Sequence, residues 1–370
     1  MAPPCAPVVQ AVTDAVATYA RDGLHAFGQW ADQRERLRGM LAELIHADPQ
    51  DVALVSNTSA GVTNIAMSFP WKAGDGVVVF EREFPANVTP WQIAARHHGL
   101  SLTMLPLPVH ANGDSDFGDL EEVLRTGSIR MVAVSAVQFQ TGMAMPLRDM
   151  AALCHRHGAQ LFVDAIQAVG VMPTNVRELG VDYLTGGSHK WLMGIEGAGL
   201  LYIRPDRMAA LRPATASWLG HEDRFGFLFE PGKQVQYDRP LIKSAAVFEA
   251  GTPHVAAQAA LEVSTAMLLE LGVDSIFAHV SAYANALNSG LVARGFESAR
   301  ATHPKGRSAI VSVRHPRFEA ATIAAALGER GISCTMPEDY LRFAPHWPNS
   351  HDELPKVLET VDEVLKSLAF

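Results

Sequence analysis

Cysteine is scarce in this chain, with three residues in 370, at Cys5, Cys154 and Cys334. So few and so scattered thiols build no disulfide framework, and a reducing compartment is expected. Long apolar runs are missing, and no basic N-terminal region leads into an apolar stretch, so neither a membrane span nor a secretory leader is read here and a cytoplasmic location is the expectation. Runs of Lys or Arg are missing too, and the formal net charge is −9. A phosphate backbone needs a basic face, which argues against a nucleic-acid partner while leaving room for a cationic pocket that takes a small anion. There is no internal repeat and no low-complexity tract. With 48% hydrophobic and 19% charged residues, the chain has the makeup of a globular enzyme, long enough for two domains sharing a large core.

What is present is alternation. Residues 1–7 form a Pro-rich lead-in, read as extended; Val8, Val9, Val12, Val16 and Tyr19 then follow a helical period, and Leu37, Met40, Leu41 and Leu44 mark the inner face of a second helix over 30–45, ended by Asp48-Pro49. Short β-branched runs at 52–56, 76–80, 102–107, 131–137 and 161–164 then alternate with helical patterns at 61–69, 87–98, 116–124 and 147–157. Strand and helix in alternation predict an α/β fold with a mostly parallel sheet covered on both faces, and ligands of such sheets bind beyond the C-terminal strand ends. Thr58, Phe84, Gln138, Asp164 and Lys190 all lie at or just past such ends. Residues 197–203 read as a further strand and 213–240 as irregular. A boundary is expected where Glu249-Ala250-Gly251-Thr252-Pro253 interrupts the pattern. Helices over 255–271 and 273–294, strands near 309–313 and 332–334, and a terminal helix over 352–368 make a smaller α+β unit. The expected division is an arm over 1–15, a large domain over 16–247 and a small domain over 248–370.

The stretch Gly186-Gly187-Ser188-His189-Lys190-Trp191 offers two readings, a reactive amine at a strand end or a solvated lysine in a glycine loop. Asn57-Thr58-Ser59-Ala60-Gly61 joins a strand to a helix, where hydroxyls and free N–H groups make either an anion site or an ordinary cap. Asp164 ends an apolar strand, and a carboxylate there needs a cation, either a protonated ring nitrogen or an Arg or Lys. Gln167, on the following turn, is a donor to a phenolate oxygen or a solvated amide. Phe84 is a stacking platform or a core aromatic, and Arg342 clamps a carboxylate or bridges two domains. Cys154, His155 and His157 look like metal ligands but point in different directions around a helix, so no metal site is read.

In order and spacing, these stretches resemble the class V aminotransferase group of fold type I pyridoxal-phosphate enzymes. That group includes cysteine desulfurases, selenocysteine lyases, kynureninases and isopenicillin N epimerase-like proteins. The resemblance rests on Asn57-Thr58-Ser59-Ala60-Gly61, Glu83-Phe84-Pro85-Ala86-Asn87, Asp164-Ala165-Ile166-Gln167, Ser188-His189-Lys190, Glu249-Ala250-Gly251-Thr252-Pro253 and Leu341-Arg342-Phe343, and covers nearly the whole chain. It implies an aspartate aminotransferase-like large domain with a mainly parallel seven-stranded sheet, pyridoxal 5'-phosphate as cofactor, and a homodimer. It further implies that Lys190 carries the imine and shuttles the proton, that Asp164 pairs with the ring nitrogen, and that Gln167 meets the ring oxygen, with Gln138 a weaker candidate there. Thr58, Ser59, Ser188 and His189 would hold the phosphate, Thr252 would reach the other subunit's site, Phe84 would stack on the ring, and Arg342 would bind the substrate carboxylate.

The departures from the resemblance narrow the chemistry. Desulfurases of the group carry histidine where Phe84 stands, and a cysteine on a loop shortly before the arginine; here that segment is Thr335-Met336-Pro337-Glu338-Asp339, with Cys334 ahead of it. The expected reaction is an aminotransferase-type one at the α-carbon of an amino acid, with a C–S or other β-lyase as the alternative, epimerisation third, and a cofactor-binding pseudo-enzyme scaffold as the reading from another class. Trp218, His221 and residues 224–229 are a guess at the substrate pocket.

Overall fold

The computed structural model describes residues 2–233 and 235–369; Met1, Gln234, Phe370 and the side chain of Phe227 lie outside the described residues. Two helices open the chain, α1 (Ala6–Asp22) and α2 (Phe27–Leu44). Then come β1 (Val52–Val55), α3 (Thr58–Ser68), β2 (Gly76–Phe80), α4 (Thr89–His98), β3 (Ser101–Leu105), α5 (Gly118–Leu124), β4 (Ile129–Ser135), α6 (Leu147–Arg156), β5 (Gln160–Asp164), the one-turn α7 (Val176–Leu179), β6 (Tyr183–Gly187) and β7 (Gly199–Ile203). Two further one-turn helices, α8 (Pro205–Met208) and α9 (Gly226–Phe229), lead to α10 (Val255–Leu271) and α11 (Val273–Val292). The chain closes with β8 (Glu297–Ser298), β9 (Val311–Arg314), α12 (Ala320–Gly328), β10 (Leu341–Phe343) and α13 (Leu354–Ser367).

The large sheet has seven strands in the order β1-β7-β6-β5-β4-β2-β3. From β3 to β6 every pairing is parallel, whereas β7 runs antiparallel to both of its neighbours. The connection over 188–198 is too short for a helical crossover, so the chain can only turn back beside β6. Residues on both faces of the central strands are buried, as the near-continuous apolar runs require. Register aligns the functional ends: Ser135 of β4 sits opposite Asp164 of β5, and Asp164 opposite Thr185 of β6. Helix α3 lies against β6 at very close range. A Cβ at Gly61 would stand 2.0 Å from Thr185 Oγ1, so only glycine permits the approach that brings Thr58 beside the Lys190 strand.

The C-terminal unit is a three-stranded antiparallel sheet, β10-β9-β8, packed with α11, α12 and α13 around Leu287, Val311, Ile323, Leu341 and Val361. One expectation changes. Residues 332–334 are not a strand: β10 takes the place beside β9, and Thr335 pairs only as an isolated bridge with Arg342. The helix read from Val8 onward begins at Ala6, where Pro7 presets the first turn of α1, and Val8 is fully buried where α1 packs on α10. Helix α10 also packs on α2, so the segment after the expected boundary is tied to the front of the chain. No single helix among the described residues is long and apolar enough to cross a membrane; α10 and α11 pass such a test only as a pair, and they are bent by 82°.

Glu249 fastens these parts together. Its carboxylate is 3% exposed and accepts the Leu54 N–H of β1 at 2.9 Å, charge-assisted bonds from Arg34 and Arg38 of α2, and one from Arg224 at 3.1 Å. Burial alone would raise its pKa, yet Arg38, with Arg34 and Arg224, holds it down to about 2. A depressed carboxylate stabilises the fold fully above its ordinary value of 4.5, and the contribution is lost as pH falls toward 2. Glu249→Ala strands three guanidinium groups and is expected to cost about 3–5 kcal/mol in denaturant unfolding at pH 7. The loss of stability of the parent protein below pH 4.5 should be shallower in that variant.

Candidate active site

The site grows from the carboxyl ends of β4, β5 and β6. Asp164, the last residue of β5, is 2% exposed and accepts the Ile166 N–H at 3.0 Å. Burial pushes its carboxyl up to about 6, against the Ile166 bond and the Lys190 charge, which both favour the carboxylate. Lys190 follows β6 by a short turn. Burial lowers its pKa, Asp164 opposes that, and the Arg342 charge adds to it. Lys190, Gln167, Trp191, Ile310, Arg342 and His346 line one cleft of about 80 Å³. The Lys190 ammonium stands 5.8 Å from the centre of the Phe84 ring, which is 49% exposed and edge-on to Phe139 at 5.4 Å. Phe84 therefore offers an open face rather than a core contact.

Arg342 leans in from β10. Its Nε donates to Thr335 Oγ1 at 2.9 Å and its Nη1 to the Phe139 carbonyl, so the loop under Phe84 also aims the guanidinium. Phe84 itself is anchored through its neighbour Glu83, which accepts the Ser135 N–H at 2.6 Å, the Ser135 hydroxyl, and Asn87 Nδ2 at 3.1 Å. Burial raises Glu83 to about 7 despite those bonds. Arg82, just before it, holds a left-handed φ of 61°, a strained conformation that these contacts maintain.

The other end of the site lies where the start of α3 meets the end of β6. Asn57 caps α3 by accepting the Ala60 N–H at 2.9 Å, and the hydroxyl of Thr58 is buried without a hydrogen-bond partner. A Cβ on Gly187 would lie 3.2 Å from Thr58 Oγ1 and 3.3 Å from both His189 Cε1 and Ile166 Cδ1, so glycine there lets Thr58 and His189 approach the same strand end closely.

Several sequence candidates fall elsewhere. Ser188 is fully buried and its hydroxyl donates to the Ile195 carbonyl, so it points into the 188–195 turn and away from Thr58. Gln138 has both ends engaged: Oε1 accepts from Gln140 N, Thr141 N and Thr141 Oγ1, and Nε2 donates to Arg82 O and Gln140 Oε1, which leaves nothing for a ring oxygen. Ser59 is exposed on α3. Thr252 lines a different, larger cavity of about 370 Å³ with Tyr19, Phe27, Trp30, Trp218 and Phe225. Trp218 and Phe225 thus leave the Lys190 cleft, and His221 is bonded to the Arg239 carbonyl at 2.8 Å. Of the helical trio, Cys154 is core and His155 is bound to Asp182 at 2.9 Å. Glu83, Trp191 and His346 carried no assignment from sequence; the signal for each was its place beside Phe84, Lys190 and Arg342.

The family model for aminotransferase class V matches residues 2–336. The chain belongs to the class V aminotransferase family. It is 27% identical over 357 residues to a Bacillus subtilis (strain 168) protein named uncharacterized aminotransferase YcbU, covering 96% of this chain and 90% of that one. It is 30% identical to a cysteine desulfurase of Dickeya dadantii, covering 85% of this chain and 76% of that one. Among solved structures, the apo cysteine desulfurase of Thermococcus onnurineus NA1 superposes with a TM-score of 0.85 at 25% identity, over 98% of this chain and 92% of the other. The cystine C-S lyase C-DES, at 22% identity, gives the same TM-score over 97% of this chain and 94% of the other, a likeness of fold.

Class V enzymes use pyridoxal phosphate, and the residues present fit it. The orphaned Thr58 hydroxyl at the start of α3, with side-chain-free Gly187 close beside it, suits a phosphate. The buried Asp164 carboxyl suits a ring cation, and Lys190 is close enough for its charge to favour that carboxylate. Thr58→Val is expected to weaken pyridoxal-phosphate binding about ten-fold in a fluorescence titration, the worth of one hydrogen bond to a charged group. Ser188→Ala should leave that affinity unchanged and lower only the melting temperature.

Proposed function

We propose that this class V enzyme acts at the α-carbon of an amino acid as an aminotransferase. The observation that carries the reading is a buried Lys190 that shares its cleft with Arg342 and feels the charge of both Arg342 and buried Asp164. Among the described residues lining that cleft, Lys190 is the one group free to take and return a proton. His346, the other titratable base there, has both ring nitrogens engaged. When bound, pyridoxal phosphate supplies an electron sink for the pair released at the α-carbon. Arg342 would receive the substrate carboxylate through its outward guanidinium edge. Lys190 would remove the α-proton and deliver it to the carbon on the far side of the substrate nitrogen, a transfer that a single base on one face can perform. Asp164 would hold a proton on the ring nitrogen, Thr58 and His189 would hold the phosphate, and Phe84 would cover one ring face.

A C–S β-lyase is the second reading, supported by the relatives named cysteine desulfurases. It shares the first proton removal and differs only in the loss of a β-substituent. The persulfide-forming route has weaker support here, because burial pushes the Cys334 thiol up to about 11 and Phe84 offers no proton. Epimerisation asks for a base on each face, and Lys190 serves one; a scaffold without activity has no need of Lys190, Asp164 and Arg342 together. The proposal includes a homodimer in which Thr252 reaches the partner's site. Exposed Val16, Tyr19 and Leu24 on and after α1, beside the 370 Å³ cavity, offer an apolar face for a second copy. It also includes a cytoplasmic location and a large domain over 16–247 hinged to a small one over 248–370.

A panel of L-amino acids mixed with the loaded protein decides between the readings. Conversion of the cofactor to its amine form with release of a 2-oxo acid is the expected result; pyruvate and ammonia without that conversion would assign the β-lyase instead. Arg342→Ala should raise KM about ten- to hundred-fold, as loss of a charge-assisted pair predicts, with cofactor affinity unchanged. Loss of cofactor in that variant would contradict the role given to Arg342.

A further inference from the structure

Two buried side chains of the cleft, Trp191 and His346, have no part in the steps above. The Trp347 N–H donates to His346 Nδ1 at 2.8 Å, so the imidazole proton lies on Nε2, which donates to the Trp191 carbonyl at 2.8 Å. Burial pushes His346 down to about 4 against the pull of that bond, and the ring stays neutral over the working range. The two rings meet edge to face at 5.2 Å. The Trp191 backbone is thereby pinned, and its indole Nε1–H donates to Gln167 Oε1 at 2.9 Å inside the protein. Indole is a donor only, so the Gln167 atom facing it must be the amide oxygen. The amide NH2 is consequently directed away from Trp191, on a side chain that shares the cleft with Lys190.

We propose that Trp191 is a positioning residue: anchored by His346, its indole N–H holds the Gln167 amide so that the NH2 group is presented as a donor to the ring oxygen of the bound cofactor. This rests on the pyridoxal-phosphate reading above. The gain is one of orientation. A glutamine free to rotate presents its oxygen as readily as its nitrogen, and oxygen against an electron-rich ring oxygen is repulsive. His346 follows Arg342 on the same short stretch, so the segment that delivers the carboxylate clamp also braces the cofactor donor.

The test is the pH midpoint of the visible absorption of the loaded protein, read without substrate. A donor to the ring oxygen draws charge from it and weakens its hold on the neighbouring proton of the lysine–cofactor linkage, so losing the donor raises the midpoint. Gln167→Leu and Trp191→Phe should each raise it by about half to one pH unit, the equivalent of one neutral hydrogen bond. Trp191→His, whose Nε2–H can stand where the indole N–H stood, should return it toward the parent value. A parent midpoint in Trp191→Phe, with Gln167→Leu shifted, overturns the role of Trp191; no shift in Gln167→Leu overturns the donor itself. If Trp191→Phe does not fold, Trp191→His at the parent midpoint beside a shifted Gln167→Leu supports the proposal, and equal shifts in both overturn it. A parent protein that binds no pyridoxal phosphate refutes the cofactor reading rather than this one.

Discussion

A carboxylate buried at the end of a parallel sheet is the constraint on which this site depends. Asp164 receives one backbone N–H and little else from its surroundings, and burial drives its carboxyl toward the neutral form. Such a group is costly unless a cation answers it. Lys190 answers in part, and the same burial that raises Asp164 lowers Lys190, so both groups are drawn toward neutrality and toward proton exchange. A ring cation seated against Asp164 would relieve the acid and leave the amine free for chemistry. The sheet's register does the rest, setting Ser135, Asp164 and Thr185 side by side so that loops from three strands open on the same point.

Two of the buried carboxylates, Glu249 and Asp164, are treated in opposite ways. Glu249 meets three guanidinium groups and a backbone amide and is held ionised, which makes it a fastener between α2, β1 and the start of the C-terminal region. Asp164 is left under-compensated. The difference separates stability from function: one charge is saturated where the fold must not move, the other kept short of partners where a ligand is to complete it. Glu83, raised to about 7, stands between these cases, since its bonds to Ser135 and Asn87 position the Phe84 loop without overcoming burial.

Arg342, Thr335 and His346 come from the C-terminal unit and Lys190, Gln167 and Phe139 from the large sheet, so the cleft is a seam between two packed bodies. Bonds from Arg342 to Phe139 and from His346 to Trp191 cross that seam. Under the proposed function, a substrate held by Arg342 would bear on the same contacts that orient the cofactor side. The geometry ties recognition to the reacting end without any long-range device.

The sequence by itself determined the alternation of strands and helices, and with it the parallel sheet and the crevice at its carboxyl edge, because period and apolar runs are local properties. It also singled out Asp164, Lys190, Phe84 and Arg342, whose neighbours in the chain already stated their settings. Which hydroxyl stays without a partner was a matter of tertiary structure: Thr58 and Ser188 look alike in sequence, but Thr58 is left unpaired while Ile195 consumes Ser188. Gln138 is likewise engaged, by Gln140 and Thr141 on its own loop and by the Arg82 carbonyl. The strand expected at 332–334 gave way to β10, since β8 and β10 already pair with both edges of β9. Hydrogen bonds are finite in number and their partners are chosen by distance, so the roles of Trp191 and His346 emerged only once the two bodies were packed together.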